Sequence, residues 1–248
     1  MLNNFAVIVP VYNSEQWIGK CIESILTQDY ENYKLYVIDD HSTDRTWDII
    51  KSYNVYCKCN KKHIGALANL IQGIKQFNKN EIIVTVDGDD YLADDHVLSY
   101  LNTIYQDDIW LTYGSFLPVS GRYSGTCQLL SHTHTVDETG RWVDNYLTPQ
   151  TYRNSGVWVT SHLRTFRKWL WNKIKDEDLR DENSYYKVAW DMAFMYPMIE
   201  MAGEHIYFIE KILYIYNDLN PNCDGTVDPE LQIRTGKSIQ AKSIYKEL

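Results

Sequence analysis

Four short apolar runs in the first half of the chain alternate with stretches of helical periodicity. The runs cover residues 5–11, 35–38, 55–57 and 82–86. Apolar residues at nearly every position are typical of strands buried on both faces of a parallel sheet. After each run, apolar residues recur three or four positions apart, as one face of a helix requires. These stretches lie within 18–26, 47–50, 67–77 and 97–104. The alternation predicts an α/β fold with a Rossmann-like, mostly parallel central sheet flanked by helices.

Short polar side chains precede three of the predicted helices. Oxygen-bearing side chains at these places are typical helix N-caps. The candidate caps are Asn13 or Ser14, Ser42 or Thr43, and Asp94 or Asp95.

The second half of the chain gives fewer signals. Residues 109–116 predict a further strand, and residues 162–174 combine apolar residues at helical spacing with basic residues off that stripe. The latter pattern predicts an amphipathic helix with a solvated basic face, or a positive flank to a phosphate site. Residues 190–203 predict a helix with Asp191 in its first turn. Closing strands are expected within 205–216, a final helix near 231–245, and loops at 118–156, 176–183 and 217–225.

Three of the predicted strands end in polar turns. These turns cover residues 10–15, 39–44 and 87–90, and the carboxyl ends of parallel strands meet at one edge of a sheet, where ligands bind. Asp87 and Asp89 stand two apart, so in extended backbone they point the same way, and their mutual repulsion favours a bound cation such as Mg²⁺ or Mn²⁺. An ordinary acidic turn is the alternative.

The composition and the motifs that are missing argue against several classes of protein. The formal net charge of −9 disfavours a binder of nucleic acid or of anionic membranes. The five cysteines show no framework spacing, which favours reduced thiols and a cytoplasmic location. No run approaches the roughly 20 apolar residues of a membrane span, although a peripheral membrane contact stays open. The Gly-x-Gly-x-x-Gly motif of dinucleotide-binding proteins and the full Gly-x-x-x-x-Gly-Lys-Ser/Thr motif of P-loop proteins are also missing.

A pair of histidines in the loop region allows two interpretations. His132 and His134 stand two residues apart, and imidazoles are common metal ligands. No cysteine or carboxylate partner is recognisable beside them, so solvated loop histidines are the preferred interpretation.

The three polar turns together resemble successive motifs of the family 2 glycosyltransferases, which have the GT-A fold. The motifs here are Val-Pro-Val-Tyr-Asn with a following Glu at 9–15, Asp-Asp-His-Ser-Thr-Asp at 39–44, and Asp-Gly-Asp-Asp at 87–90. The segment from His63 through Gly65 to Asn69 is similar to the family's Asn-x-Gly…Arg-Asn segment. His63 replaces its Asn, and Ala68 replaces its Arg.

The resemblance implies a role for each matching residue. Asp39 would accept a hydrogen bond from the uracil imide N–H, Asp87 would hold ribose or metal, and Asp89 would ligate Mn²⁺ or Mg²⁺. The remaining nucleotide-sugar-binding candidates are Pro10, Tyr12, Glu15, His63, Gly65, Asn69 and Gly88. Asp191 resembles the catalytic base of the family's Glu-Asp pair, and Trp190 replaces the Glu.

The implied activity is inverting, metal-dependent transfer of a sugar from a nucleoside diphosphate, UDP being preferred, to a hydroxyl of a glycan or another acceptor. Residues 1–116 would form the nucleotide-sugar-binding half of one GT-A domain. Residues 117–248 would form the acceptor-binding and catalytic-base half, with a carboxyl-terminal, acceptor-side helical extension. Two alternatives remain open, a non-catalytic nucleotide- or carbohydrate-binding relative and a sugar nucleotidyltransferase.

Overall fold

The structure is a computed structural model that describes residues 2–122, 127–136, 138–182, 184–221 and 228–248. Its centre is an eight-stranded sheet with the order β3-β2-β1-β4-β9-β6-β12-β5. Those strands are β1 (Phe5–Val11), β2 (Tyr33–Asp39), β3 (Tyr56–Cys59), β4 (Ile82–Thr85), β5 (Tyr91–Leu92), β6 (Leu111–Pro118), β9 (Ser161–Arg167) and β12 (Ile206–Tyr216). The four strands β3, β2, β1 and β4 run parallel to one another, which confirms the predicted mostly parallel, Rossmann-like sheet.

Helices cover both faces of the sheet. They are α1 (Ile18–Leu26), α2 (Thr46–Ser52), α3 (Ala66–Ile74), α4 (Val97–Ile104), α5 (Pro149–Tyr152), α6 (Lys168–Trp171), α7 (Trp190–Ala202) and α8 (Pro229–Gln240). Alternate side chains of β1 belong to two different cores: Val7 and Val9 pack with α1 and α4, whereas Ala6 and Ile8 pack with α3 and α7. A strand covered on both faces has no polar side, which is why its sequence is a continuous apolar run.

The predicted helix over residues 162–174 is wrong. Strand β9 occupies its first half, hydrogen-bonded antiparallel to β4 on one side and to β6 on the other, and only α6 is helical. Leu163 packs into one core and Phe166 into the other. Residues three apart lie on opposite faces of a strand, so when both faces are buried their spacing imitates a helical stripe. The predicted solvated basic face is wrong for Arg164, which is 3% exposed.

The predicted N-caps are also wrong. Helices α1, α2 and α4 begin after Trp17, Arg45 and His96, none of which makes a side-chain capping bond. Asn13, Ser42 and Asp94 accept bonds from loop backbone instead; Asp94 Oδ1, for example, accepts from the backbone N–H of His96 at 2.9 Å.

The regions expected to be loops contain further structure. Strands β7 (Thr133–Val136) and β8 (Trp142–Asn145) form one antiparallel hairpin, and β10 (Arg180–Asp181) with β11 (Ser184–Tyr185) forms another after a 3₁₀ turn at Asp176–Leu179. Residues 222–225 of the predicted 217–225 loop lie outside the described residues. No helix among the described ranges combines the length and apolar character needed to cross a bilayer.

A buried ion pair fixes the segment around α5 to the rest of the domain. Arg153, 1% exposed, donates from Nε to Glu200 Oε1 at 2.5 Å and from Nη2 to Glu200 Oε2 at 2.7 Å. Its Nη1 donates to the carbonyl of Ile239 in α8. This guanidinium therefore joins α5, α7 and α8, and the segment at 149–153 is anchored rather than a free loop at the mouth of a site.

Candidate functional site

A cavity of about 380 Å³ opens at the carboxyl edge of the parallel strands. Its walls come from the turns after β1 and β4, the start of α3, strand β9 and the start of α7. The sequence-predicted site residues in its lining are Pro10, Tyr12, His63, Gly65, Asn69, Asp87, Gly88, Asp89 and Asp191. Glu15 and Asp39 lie outside this lining. One edge of the sheet therefore gathers residues from all along the chain, as the parallel strand order requires.

The turn after β1 is bonded to the turn after β2. The backbone N–H of Asn13 donates to Ser42 Oγ at 2.8 Å, and the backbone N–H of Thr43 donates to Asn13 Oδ1 at 2.8 Å. Glu15 Oε2 accepts from the backbone N–H of Arg45 at 2.9 Å. Glu15 is thus a bridge between the two turns, and its carboxylate is already occupied on the side away from the cavity.

Asp39 ends β2 as a fully buried carboxylate with one oxygen in use. Its Oδ2 accepts from Cys59 Sγ at 3.0 Å and from the backbone N–H of Ser42 at 3.3 Å. Burial and this bond to Asp39 raise the pKa of the Cys59 thiol to about 11, so the thiol remains a donor at neutral pH. Oδ1 has no hydrogen-bond partner within the described ranges. A buried acceptor without a donor is costly, and a ligand N–H is one way to satisfy it.

The neighbouring Asp40 organises the start of α3. Its carboxylate accepts from the backbone N–H of Ile64 at 3.0 Å and of Gly65 at 2.7 Å, and it lies 3.0 Å from His63 Nδ1. Gly65 has φ +93°, a backbone conformation that favours glycine. The second aspartate of the motif is therefore a structural anchor for the segment that carries His63 and Gly65.

Asn69 is buried, and its amide is used within the protein. Its Oδ1 accepts from Asn60 Nδ2 at 2.6 Å, and its Nδ2 donates to the Gly65 carbonyl at 3.0 Å. The Tyr12 ring remains 44% exposed and lies 4.3 Å from the His63 ring. Tyr12 and His63 therefore offer the cavity ring faces, whereas Asn69 supports its wall.

The acidic turn after β4 packs directly against β1. The backbone N–H of Gly88 donates to the Pro10 carbonyl at 3.1 Å. A Cβ at position 88 would lie 2.4 Å from Val11 Cβ, a distance that real Cβ atoms do not reach. Glycine at this position therefore allows the turn to approach the strand and sets where Asp87 and Asp89 stand.

The carboxylates of Asp89 and Asp90 are largely shielded from solvent. Burial raises the pKa of Asp89, although Asn220 Nδ2 donates to its Oδ2 at 2.7 Å. Burial, and then the charges of Asp89 and Asp87, raise the pKa of Asp90 well above its usual range. Asp90 also accepts from the Tyr214 hydroxyl at 2.7 Å and from the backbone N–H of Asn217 at 2.7 Å. The turn thus concentrates negative charge that the protein only partly compensates.

The donor set of this turn fits a hard divalent cation. Ligand atoms of Asp87, Asp90 and His162 lie within 4.8 Å of one another. Carboxylate oxygens suit Mg²⁺ and Mn²⁺, and a cation would offset the burial and the repulsion that together raise the pKa of Asp90. Of the predicted pair, Asp87 belongs to this cluster and Asp89 does not, and the geometry adds Asp90 and His162 as candidate ligands.

Across the same cavity, Asp191 is held by an arginine that sequence reasoning missed. Arg164 Nη2, from β9, donates to Asp191 Oδ2 at 2.6 Å. The other oxygen, Oδ1, accepts from the backbone N–H of Met192 at 3.0 Å. Trp190, in place of the family's Glu, packs against Phe194 in the core. Asp191 is therefore a fixed carboxylate, with its side chain 20% exposed in the cavity wall.

His162 lies under the acidic turn and the arginine. Its ring stacks on Tyr214 with centroids 4.5 Å apart, and its Nδ1 lies 3.3 Å from Arg164 Nη1. Burial, and then the charge of Arg164, lower the pKa of His162 well below its usual range. A neutral imidazole has one lone pair, and both ring nitrogens of His162 lie 3.3–3.4 Å from guanidinium nitrogens of Arg164, so the lone pair accepts from the arginine.

Several residues of the lining were not among the predicted site residues. They are His162, Arg164, Lys187, Asn220 and Gln232. The sequence signal for Arg164 is the basic character of residues 162–174, for which a positive flank to a phosphate site was one of the two interpretations. In the structure, Arg164 and the exposed Lys187 bring positive charge to the cavity, although Ala68 replaces the arginine expected on α3.

Comparisons with known proteins find similar sequences and similar folds. The sequence profile described as Glycosyl transferase family 2 matches residues 6–168. "Glycosyltransferase GlyA" of Streptococcus pneumoniae is 33% identical over 230 residues, covering 86% of this chain. This chain spans only 30% of GlyA's length.

Solved structures share the fold. TarS of S. aureus in complex with UDP-GlcNAc superposes with a TM-score of 0.62 at 22% identity, over 87% of this chain and 58% of that one. Mannosyltransferase PcManGT from Pyrobaculum calidifontis, in complex with GDP-Man and Mn²⁺, gives a TM-score of 0.62 at 15% identity, over 99% of this chain and 66% of that one. The architecture is the GT-A fold.

Proposed function

Because the chain belongs to glycosyl transferase family 2, we propose that it transfers a sugar from a nucleoside diphosphate, UDP in the first instance, to an acceptor hydroxyl with inversion. The observation that carries the proposal is a single cavity with the acidic turn on one wall and the Arg164–Asp191 pair on another. Residues 1–116 supply the donor side and residues 117–248 supply the base and the acceptor side.

The donor's uridine is assigned to the edge formed by the first two turns. The unpartnered Oδ1 of Asp39 is a suitable acceptor for the imide N–H of uracil. Tyr12 offers a ring face for the base, and Pro10 forms the adjoining wall. Glu15 contributes by fixing the two turns to each other, since its carboxylate is bonded to the backbone of Arg45.

The diphosphate is assigned to the acidic turn, whose carboxylates would hold a divalent cation. Asp87 and Asp89 are the ligands that the sequence predicts, and Asp87, Asp90 and His162 are the residues whose ligand atoms lie within 4.8 Å of one another. A bound Mn²⁺ or Mg²⁺ supplies charge neutralisation for the leaving diphosphate. Lys187, exposed at the same cavity, adds positive charge from the protein itself.

Asp191 is assigned as the general base. It accepts the proton of the acceptor hydroxyl while that oxygen attacks the anomeric carbon, and the bond from that carbon to the diphosphate oxygen breaks with its electron pair. The bond from Arg164 fixes one carboxylate oxygen, so the base is oriented before the acceptor arrives. A single displacement of this kind needs no protein nucleophile and inverts the anomeric centre.

The test is a panel of UDP-, GDP- and dTDP-sugars, assayed for binding and for nucleotide release with Mn²⁺ and then with EDTA. We expect one UDP-sugar to bind and to release UDP slowly in a metal-dependent manner. Binding without turnover, unchanged in Asp191→Asn, would instead indicate a non-catalytic relative. Failure of every nucleotide sugar to bind, with and without metal, contradicts the proposal.

A further inference from the structure

The hairpin of β7 and β8 brings together three side chains that are typical metal ligands. His134 and Asp144 are direct cross-strand partners in the register of the hairpin, and His134 Nδ1 lies 2.6 Å from Asp144 Oδ1. His132 stands two residues before His134, and its Nε2 lies 3.8 Å from the same oxygen. The ligand atoms of all three lie within 4.8 Å of one another.

The carboxylate that the sequence alone did not reveal therefore comes from the opposite strand. Asp144 lies ten positions after His134 in the sequence, and the antiparallel pairing of β7 with β8 places the two residues directly opposite each other. Residues two apart on a strand point the same way, so both imidazoles meet the carboxylate on one face of the hairpin. His134 therefore lies in a strand rather than in a loop, whereas both imidazoles are about half exposed, as the interpretation as solvated histidines expects.

We propose that His132, His134 and Asp144 form a binding site for a divalent transition-metal ion, Zn²⁺ in particular. Two imidazoles and one carboxylate are a ligand set that zinc accepts readily, whereas Mg²⁺ and Ca²⁺ prefer oxygen ligands only. The site is distinct from the acidic turn, since none of its residues lines the cavity. It does not depend on the proposed function.

The geometry requires little movement to accept the ion. Ligand atoms around tetrahedral zinc lie about 3.3 Å apart, given bonds of about 2.0–2.1 Å. The observed separations of 2.6 and 3.8 Å lie on either side of that value. All three side chains are about half exposed, so they can rotate without repacking a core. Solvent can supply the fourth ligand.

Neighbouring contacts already orient the His132 ring and hold the backbone of His134. The Tyr146 ring stacks on the His132 ring, with centroids 5.1 Å apart and planes 3° from parallel. Gln128 Nε2 donates to the backbone carbonyl of His134 at 3.1 Å, and its Oε1 accepts from the backbone N–H of His134. Contacts of this kind raise metal affinity because they reduce the freedom lost on binding.

A simple hydrogen bond between an exposed histidine and a carboxylate is the competing explanation, and the chain contains a matched example of it. His96 lies 2.6 Å from Asp29 and 3.3 Å from Asp95. That cluster is also exposed and has two carboxylates, but it has a single imidazole. A change at His96 therefore controls for the loss of an exposed histidine that is paired with a carboxylate.

The experiment is equilibrium dialysis of Zn²⁺ against the chelator-stripped full chain. The variants are His132→Gln, His134→Gln and Asp144→Asn, with His96→Gln as the control. Zinc held by thiols or by the acidic turn is common to all five proteins, so the difference between them is the readout. We expect the wild type and His96→Gln to bind one more zinc ion than each site variant, or to bind it at least about tenfold more tightly.

Equal stoichiometry and affinity in all five proteins would overturn the proposal. A loss confined to one of the three site variants would overturn it as well, because a three-ligand site must respond to each ligand. Circular dichroism of the variants verifies that the fold is retained. A second readout is the proton NMR spectrum of the seven histidines, in which zinc should shift two ring signals that are absent from His132→Gln and His134→Gln respectively.

Discussion

Arg164 Nη2 and Asp191 Oδ2 lie 2.6 Å apart, and this bond joins strand β9 to the first turn of helix α7. The arginine is buried, whereas the aspartate side chain is 20% exposed in the cavity wall. A buried guanidinium needs a partner, and a carboxylate at a helix N-terminus is further stabilised by the helix dipole. The pair therefore gives the assigned base one orientation.

Replacement of that base tests its role directly. Asp191→Asn keeps an oxygen that can accept from Arg164 but cannot take a proton, so we expect sugar transfer to fall by about 10²–10⁴-fold. Donor affinity, measured by calorimetry, should not change. Asp48→Asn is the control, because that carboxylate is exposed and pairs with Lys51 on the same helix. Transfer at near wild-type rate in Asp191→Asn would exclude this residue as the base.

Arg164 should act on turnover rather than on donor binding. Arg164→Lys retains the charge but lacks the forked donors that reach Asp191, so we expect kcat to fall roughly 10- to 100-fold, the scale on which small misplacements act. The donor Kd should stay within a factor of two or three. Arg167→Lys on the same strand is the matched control, since Arg167 donates to the backbone carbonyl of Ile109 at 2.8 Å. A parallel loss of donor affinity would contradict the positioning role.

Removal of the metal ion and removal of one of its ligands should both reduce the release of UDP. We expect EDTA to abolish release of UDP from the donor and Mn²⁺ to restore it. In Asp89→Asn, the Mn²⁺ concentration for half-maximal activity should rise at least about tenfold. Asp95→Asn, an exposed carboxylate after the turn, is the control. Full activity in EDTA would show that the acidic turn works without a cation.

Asp40 should matter for stability more than for chemistry. Asp40→Asn leaves the backbone N–H groups of Ile64 and Gly65 with a weaker or missing acceptor, and bonds to a charged acceptor are worth about 1.5–3 kcal/mol. We expect a loss of unfolding free energy in that range, measured by urea denaturation. A change below about 0.5 kcal/mol, typical of surface substitutions, would show that the carboxylate does not anchor the loop.

Two helical glycines provide a matched test of packing. A Cβ at Gly73 would lie 2.5 Å from Ile8 Cγ2, so Gly73→Ala should overpack α3 against β1 and cost about 1–3 kcal/mol. A Cβ at Gly236 would meet Met192 Sδ at an ordinary 3.4 Å, so Gly236→Ala should be neutral or slightly stabilising. Equal changes in the unfolding temperature of Gly73→Ala and Gly236→Ala would show that α3 does not pack tightly against β1 at Gly73.

The sequence by itself determined the parallel half of the sheet and the acidic edge of the site. Continuous apolar runs followed by polar turns have few other interpretations, and parallel strands necessarily bring those turns to one edge. For this reason the sequence predicts Asp87, Gly88 and Asp89, together with Pro10 and Tyr12, at the edge where the cavity lies. The motif and the helix start likewise identify Asp191.

Only the tertiary structure decided which polar groups meet. Asp40 and Asn69 bond within the protein, and Arg164 pairs with Asp191 across the cavity, because strand order and register bring together segments far apart in sequence. Strand β9 imitated a helix because burial on both faces removes the alternation that identifies a strand. The carboxylate beside His132 and His134 also depends on the tertiary structure. Asp144 is a cross-strand neighbour, and strand register, which decides such neighbours, is not specified by the spacing of side chains along one strand.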